Sequence, residues 1–107
     1  QHWVADYGSP EDSVDLDFLL RYSPYHTLPE TIDAPAILTI APDNDDRVAP
    51  WHSYKMHAAW LAANVSSNPI LLRSEEQAGH RGSPTVSRTI DRYADIWAFF
   101  FWQFGLD

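Results

Sequence analysis

Two short apolar runs set the strongest limit on what this chain can fold into: Ala36-Ile37-Leu38-Thr39-Ile40 and, further on, Ile70-Leu71-Leu72. Each is too short for a helix, and the first is partly β-branched, as a buried strand should be. Between them residues 50 to 63 are Ala-rich, with Tyr54, Met56, His57, Ala58, Trp60 and Leu61, and read as a helix that residues 64 to 68 stop. Upstream, Ser9-Pro10-Glu11-Asp12 reads as a helix start, with Ser9 as cap, Pro10 at the first helical position and Asp12 closing a capping box. Val14, Phe18, Leu19 and Tyr22 recur at roughly helical spacing, and Ser23-Pro24 ends that helix. Residues 24 to 35 carry three Pro and no period, which marks a surface loop. Downstream of a loop from 75 to 83, Thr85 can cap a last helix. Its Ile90, Tyr93, Ala94, Trp97, Phe100 and Phe101 form a broad apolar stripe.

Helix, strand, helix, strand, helix is an α/β order, and it implies a parallel sheet with a right-handed crossover. Two strands alone leave both sheet edges bare, so further strands are expected from another stretch of chain. The composition points the same way. A chain of 107 residues makes one domain and buries only about 60–65% of its unfolded surface. Here 45% of the residues are hydrophobic and 14% aromatic, five of them Trp. Part of that aromatic surface is expected to pack against chain outside these residues, although sticky binding modules are Trp-rich too. The net charge is −8, and no basic cluster occurs, which argues against nucleic-acid binding. No Cys is present, so no disulfide framework or Cys-ligated zinc is possible; a soluble protein of cytoplasm or periplasm fits equally. Phe99-Phe100-Phe101-Trp102 is far too short to span a bilayer. No signal peptide is visible, and Gln1-His2-Trp3-Val4-Ala5-Asp6 reads as internal sequence.

Ligands of open parallel sheets bind outside the carboxyl ends of the strands. Asp45 follows the first strand in Pro42-Asp43-Asn44-Asp45-Asp46, and His80 follows the second in Gln77-Ala78-Gly79-His80. An Asp and then a His at two strand ends is the second half of an α/β-hydrolase triad in the order Ser…Asp…His. A triad His needs a carboxylate to hold its tautomer and to stabilise the imidazolium. Gly79 is expected to let the backbone bend toward Asp45. Taken singly, Asp45 reads as a helix cap and His80 as a loop residue; their joint placement brings the two readings level. Asp43 and Asp46 compete with Asp45, which is chosen because Val48-Ala49-Pro50 follows it in an Asp-x-x-Val-x-Pro turn. Asp46 is left solvated or as a helix cap. No Gly-x-Ser-x-Gly occurs in the chain, so we read it as the C-terminal piece of a larger hydrolase whose nucleophile lies elsewhere. Arg47 could grip a substrate carbonyl through its guanidinium fork; from spacing alone, an ion pair with a neighbouring Asp is commoner. Trp3 and Tyr7, at i and i+4, share one face if helical, either for a flat apolar ring or as core packing. His52 and His57 near the Asp45 turn are the only hint of a metal site. They are five residues apart instead of the four that put two His on one helix face, so no metal and no cofactor is expected.

Four stretches, spread nearly end to end, resemble the C-terminal end of the prolyl oligopeptidase family. They are Trp3-Val4-Ala5-Asp6-Tyr7-Gly8, Tyr22-Ser23-Pro24-Tyr25-His26, Asp45-Asp46-Arg47-Val48-Ala49-Pro50-Trp51-His52-Ser53, and Ala78-Gly79-His80 with Gly82 and Pro84-Thr85. The resemblance implies a serine peptidase built from an α/β-hydrolase domain and a β-propeller. It implies that residues 1–107 are the C-terminal part of the catalytic domain, without nucleophile or propeller. By position, it makes Asp45 and His80 triad members and Arg47 the ligand of a substrate carbonyl. Trp3 would stack on a substrate proline ring, with Tyr7 and Val48 lining the same pocket. The implied partners are a proline-containing peptide and the remainder of the same enzyme. The chain departs from the family pattern at Asn44, where the family has His, and after His80. That loop is one residue shorter, with Arg81 in place of Gly and Ser83 in place of Lys.

The leading expectation is therefore part of a serine peptidase that cleaves short peptides on the carboxyl side of proline. Related acylaminoacyl and dipeptidyl peptidases carry versions of the Asp-x-Arg-Val-x-Pro element, and an oligopeptidase B-like segment, cutting after basic residues, is the second enzyme reading. A pocket for basic residues would need acidic groups, whereas Trp3 and Tyr7 suit an apolar ring. A Trp-rich binding module without chemistry is the reading from another class.

Overall fold

The structure, a computed structural model, describes residues 3–82 and 85–106. It divides into two compact units, Gln1–Glu30 and Thr31–Asp107. Ser83 and Pro84 of the loop motif lie outside the described residues.

The first unit holds α1 (Val4–Tyr7) and α2 (Ser13–Tyr22). The capping differs from the Ser9 reading. Asp12 is the N-cap of α2, and its Oδ1 accepts the N–H groups of Val14 at 2.8 Å and Asp15 at 3.1 Å. Ser9 Oγ instead accepts the Glu11 N–H at 3.2 Å, so Pro10 sits in a turn before the helix. The carboxylate wins because it is a stronger acceptor than a hydroxyl for the orphan N–H groups of a first turn. Ser23 terminates α2 in an extended conformation before Pro24, as the sequence implies.

The second unit holds β1 (Ile37–Pro42), α3 (Trp51–Ala63), β2 (Ile70–Glu75) and α4 (Val86–Phe104). β1 and β2 pair in parallel, from Ile37 opposite Ile70 to Pro42 opposite Glu75. Both strands run beyond their apolar cores. Arg73 and Glu75 can occupy β2 because they neutralise each other and Asp95. α3 packs on both strands and buries His57 and Ala63. Its end is pinned to the segment before β1. Asn64 Oδ1 accepts the N–H groups of Ala34 at 3.3 Å and Ser66 at 3.0 Å. The Ala34 carbonyl accepts Ser66 Oγ at 3.0 Å and Asn68 Nδ2 at 2.8 Å.

The buried apolar residues are Ala34, Ala41, Ala63, Ile70 and Ala78, and among the described residues no large side chain is fully buried. The stripe on α4 has the expected period. However, Ile90, Tyr93, Trp97, Phe100 and Phe101 are all exposed, and the better covered positions are Arg88, Arg92, Ile96, Phe99 and Gln103. α4 ends on Gly105 (φ 62°, ψ 37°). The Leu106 N–H donates to the Phe101 carbonyl at 2.9 Å and the Gly105 N–H to the Trp102 carbonyl at 3.3 Å, a Schellman closure.

Candidate active site

The strands end side by side, and the two turns leaving them are tied together before either reaches Asp45 or His80. The Asp43 N–H donates to the Glu75 carbonyl and the Asn44 N–H to the Ala78 carbonyl, each at 3.0 Å. Ala78, which is fully buried, returns its N–H to Asp43 Oδ1 at 3.3 Å. These bonds place the Asp45 turn beside the His80 turn.

Asp45 is held from its own side of the turn. Its Oδ1 accepts the N–H groups of Arg47 and Val48, both at 2.9 Å, an Asx-type turn that fixes the side-chain rotamer. The carboxylate then faces His80, whose Nδ1 lies 2.9 Å from Oδ2 and 3.1 Å from Oδ1. A carboxylate can only accept, so Nδ1 carries the hydrogen and Nε2 is left as the free acceptor of the neutral ring. The Asp45 carboxyl is held below its ordinary value of 3.8. The Val48 N–H is the largest cause, opposed by burial and reinforced by the His80 hydrogen bond, the Arg47 N–H and the charge the His80 ring carries when protonated. The Asp45 side chain is 9% exposed and that of His80 38%. The carboxylate is thus tucked in while the ring stays reachable.

Of the three candidate carboxylates, Asp45 is the one that meets His80; Asp43 holds Ala78, and Asp46 is exposed. The N-cap position of α3 belongs to Pro50. The bend assigned to Gly79 is made elsewhere: Gln77 (φ 54°) and Gly82 (φ 89°) take the left-handed conformations. A β-carbon on Gly79 would meet only the Asn44 carbonyl, at 3.8 Å.

Asp45, Val48 and His80 share an open cleft of about 250 Å³ with Ile40, Pro42, Pro50, Ser53 and Arg92. Arg47 is exposed and makes no ion pair among the described residues. In the other unit, Trp3 and Tyr7 form a ring pair with centroids 6.0 Å apart. Both rings are more than half exposed. Among the described residues no group of three His, Cys, Asp or Glu side chains could hold a metal. Arg92 in the cleft and the buried Glu75 that it faces were not expected from the sequence. The available signals were Arg73 and Glu75 at i, i+2, which share one face of a strand, and Arg88 and Arg92 at i, i+4, which share one face of a helix.

The sequence profile of the prolyl oligopeptidase family matches residues 1–107. This chain belongs to the prolyl oligopeptidase family. It is 39% identical over 106 residues to prolyl oligopeptidase A of Amanita bisporigera, covering 97% of this chain and 14% of that protein. It is 35% identical over 105 residues to the prolyl endopeptidase of Elizabethkingia miricola, covering 97% of this chain and 15% of that protein. A chain from a structural and mechanistic analysis of two prolyl endopeptidases superposes with a TM-score of 0.87 at 36% identity. That match covers 98% of this chain and 16% of the other. This prolyl oligopeptidase family chain thus spans about a seventh of the length of the curated relatives it matches. Its fold is part of an α/β-hydrolase domain, two parallel strands with flanking helices.

Proposed function

We propose that this chain supplies the His and the Asp of a Ser-His-Asp triad, in a serine peptidase that cleaves short peptides on the carboxyl side of proline. The observation that carries the reading is the hydrogen bond from His80 Nδ1 to an Asp45 carboxylate already held by two backbone N–H groups. In this mechanism a Ser on further chain attacks the scissile carbonyl while His80 Nε2 takes its proton. Asp45 keeps the ring in that tautomer and stabilises the imidazolium, which then protonates the leaving amine. The oxyanion donors also belong to further chain, and the chemistry requires no cofactor or metal. Arg47, without an ion pair among the described residues, is available to a substrate carbonyl. Trp3, paired with Tyr7, offers its indole face to the proline ring, and Val48 lines the Asp45 cleft as a further substrate contact. The names of the relatives, prolyl oligopeptidase and prolyl endopeptidase, support this substrate class.

Residues 1–107 are, in this reading, the C-terminal part of the catalytic domain, and the remainder of that domain and a β-propeller are its partners within the same enzyme. Two observations support it: the sheet has two strands, and the apolar stripe of α4 is exposed. The test is the full-length protein on matched proline and alanine peptides, with His80→Ala as the control. Cleavage after proline should predominate, and His80→Ala should abolish it. A His80→Ala variant within about tenfold of the parent kcat would refute the triad, since a positioned acid–base contributes about 10²–10⁴-fold.

A further inference from the structure

The turn that carries His80 rests on a charged cluster from β2 and α4. Glu75, whose side chain is 6% exposed, accepts Arg73 Nη1 on Oε1 at 2.7 Å, and Arg92 Nε lies 3.6 Å from the same oxygen. Arg73 Nε also reaches Asp95 Oδ2 at 2.7 Å, so two cations balance two anions. Arg92 Nε and Glu75 Oε2 are buried and have no hydrogen-bond partner among the described residues. Glu75 is paired directly with Arg73 and faces Arg92, whose side chain is one-third exposed toward the cleft side. Arg92 also lines the cleft of Asp45 and His80. A β-carbon on Gly82 would fall 2.7 Å from Arg92 Nη1 and 3.8 Å from Glu75 Oε2. The guanidinium thus fills the space a side chain would need, and the loop backbone lies directly on it. The Gly82 N–H donates to the Gly79 carbonyl at 2.8 Å, which closes a short turn with His80 inside it. One end of that turn is anchored through Ala78 to Asp43 and Asn44; the other end meets Arg92.

We infer that Arg92, held from behind by Glu75, is a positioning residue for His80. It sets the height of the Gly82 end of the turn and with it the direction of Nε2. The inference rests on the triad reading above and adds a role for α4, which otherwise carries no part of the chemistry. A misplacement of about 1 Å in a catalytic group costs up to about a hundredfold in rate. In the full-length enzyme, Arg92→Gln should therefore lower kcat on a proline peptide about ten- to a hundredfold and leave KM nearly unchanged. Measured in a His80→Ala background, the same substitution should have no further effect, because no imidazole remains to be placed. Arg92→Lys, which keeps a cation opposite Glu75 but removes the guanidinium that meets Gly82, should show the same pattern, which covers a failure of Arg92→Gln to fold. An unchanged kcat in Arg92→Gln, a loss carried by KM, or an equal loss with and without His80 would overturn the role of Arg92. An active His80→Ala variant would overturn the triad reading as well, so the two failures are told apart.

Discussion

Replacing Asp45 by Asn should invert the tautomer of His80, and the structure dictates the direction. Asp45 Oδ1 accepts two backbone N–H groups at 2.9 Å, from Arg47 and Val48. An Asn amide has one acceptor oxygen and one donor nitrogen. The oxygen must stay where the two N–H groups point, so the NH₂ takes the place of Oδ2, which now lies 2.9 Å from His80 Nδ1. Oδ1 lies 3.1 Å from Nδ1 but already accepts two N–H groups, so the nearer NH₂ sets the ring: Nδ1 accepts and the ring hydrogen moves to Nε2. The imidazole can then no longer take a proton from the nucleophile. Misplacing the tautomer in a serine-peptidase triad costs about 10⁴ in kcat, and a loss of that order, with KM little changed, is expected in the full-length enzyme. The assay is steady-state cleavage of a proline peptide at neutral pH, with thermal unfolding in parallel. Because the turn keeps both backbone hydrogen bonds, the variant should fold as the parent does. The pH dependence has a defined sign. A carboxyl held below its ordinary 3.8 contributes stability that is fully present above that value and lost as pH falls through the lower folded value. Any gap in unfolding temperature between parent and Asp45→Asn should therefore shrink as pH falls below 3.8. A loss in kcat of less than about tenfold in a folded variant would refute the tautomer argument, since even a modest general base supplies more.

Trp3→Ala should lower kcat/KM on a proline peptide more than on a matched alanine peptide, by about 1–3 kcal/mol of discrimination. Arg47→Ala should lower both alike, because it would grip a backbone carbonyl. Equal losses from Trp3→Ala on the two peptides would make Trp3 a packing residue. Gly105→Ala should cost about 1 kcal/mol through left-handed backbone strain alone, because a β-carbon there meets nothing within 4 Å. Hydrogen exchange at the Gly105 and Leu106 amides reads that cost, and unchanged protection would show that the Schellman closure does not hold the end of α4.

The α/β order was legible because its signals are local. Ile37 to Ile40 and Ile70 to Leu72 are short apolar runs flanked by turn residues, α3 is Ala-rich, and α4 carries a helical period. Element ends were less legible. The Ser9 start failed because Asp12, three residues on, is the better acceptor. β2 runs on to Glu75 because partners from α4 and within the strand neutralise charges that look like the start of a loop.

The strand-end positions of Asp45 and His80, and the choice of Asp45 through its Asp-x-x-Val-x-Pro turn, were determined by sequence alone, because a turn motif and a strand terminus are properties of neighbouring residues. Which atoms meet was decided only by tertiary structure. Asp43 clamps the His80 turn, Gln77 and Gly82 bend it in place of Gly79, and Arg92 comes up beneath it from a helix begun after both strands are complete. Contacts between turns that lie far apart in the chain depend on strand register and on the seating of α4, and neither is encoded in the residues adjacent to the site.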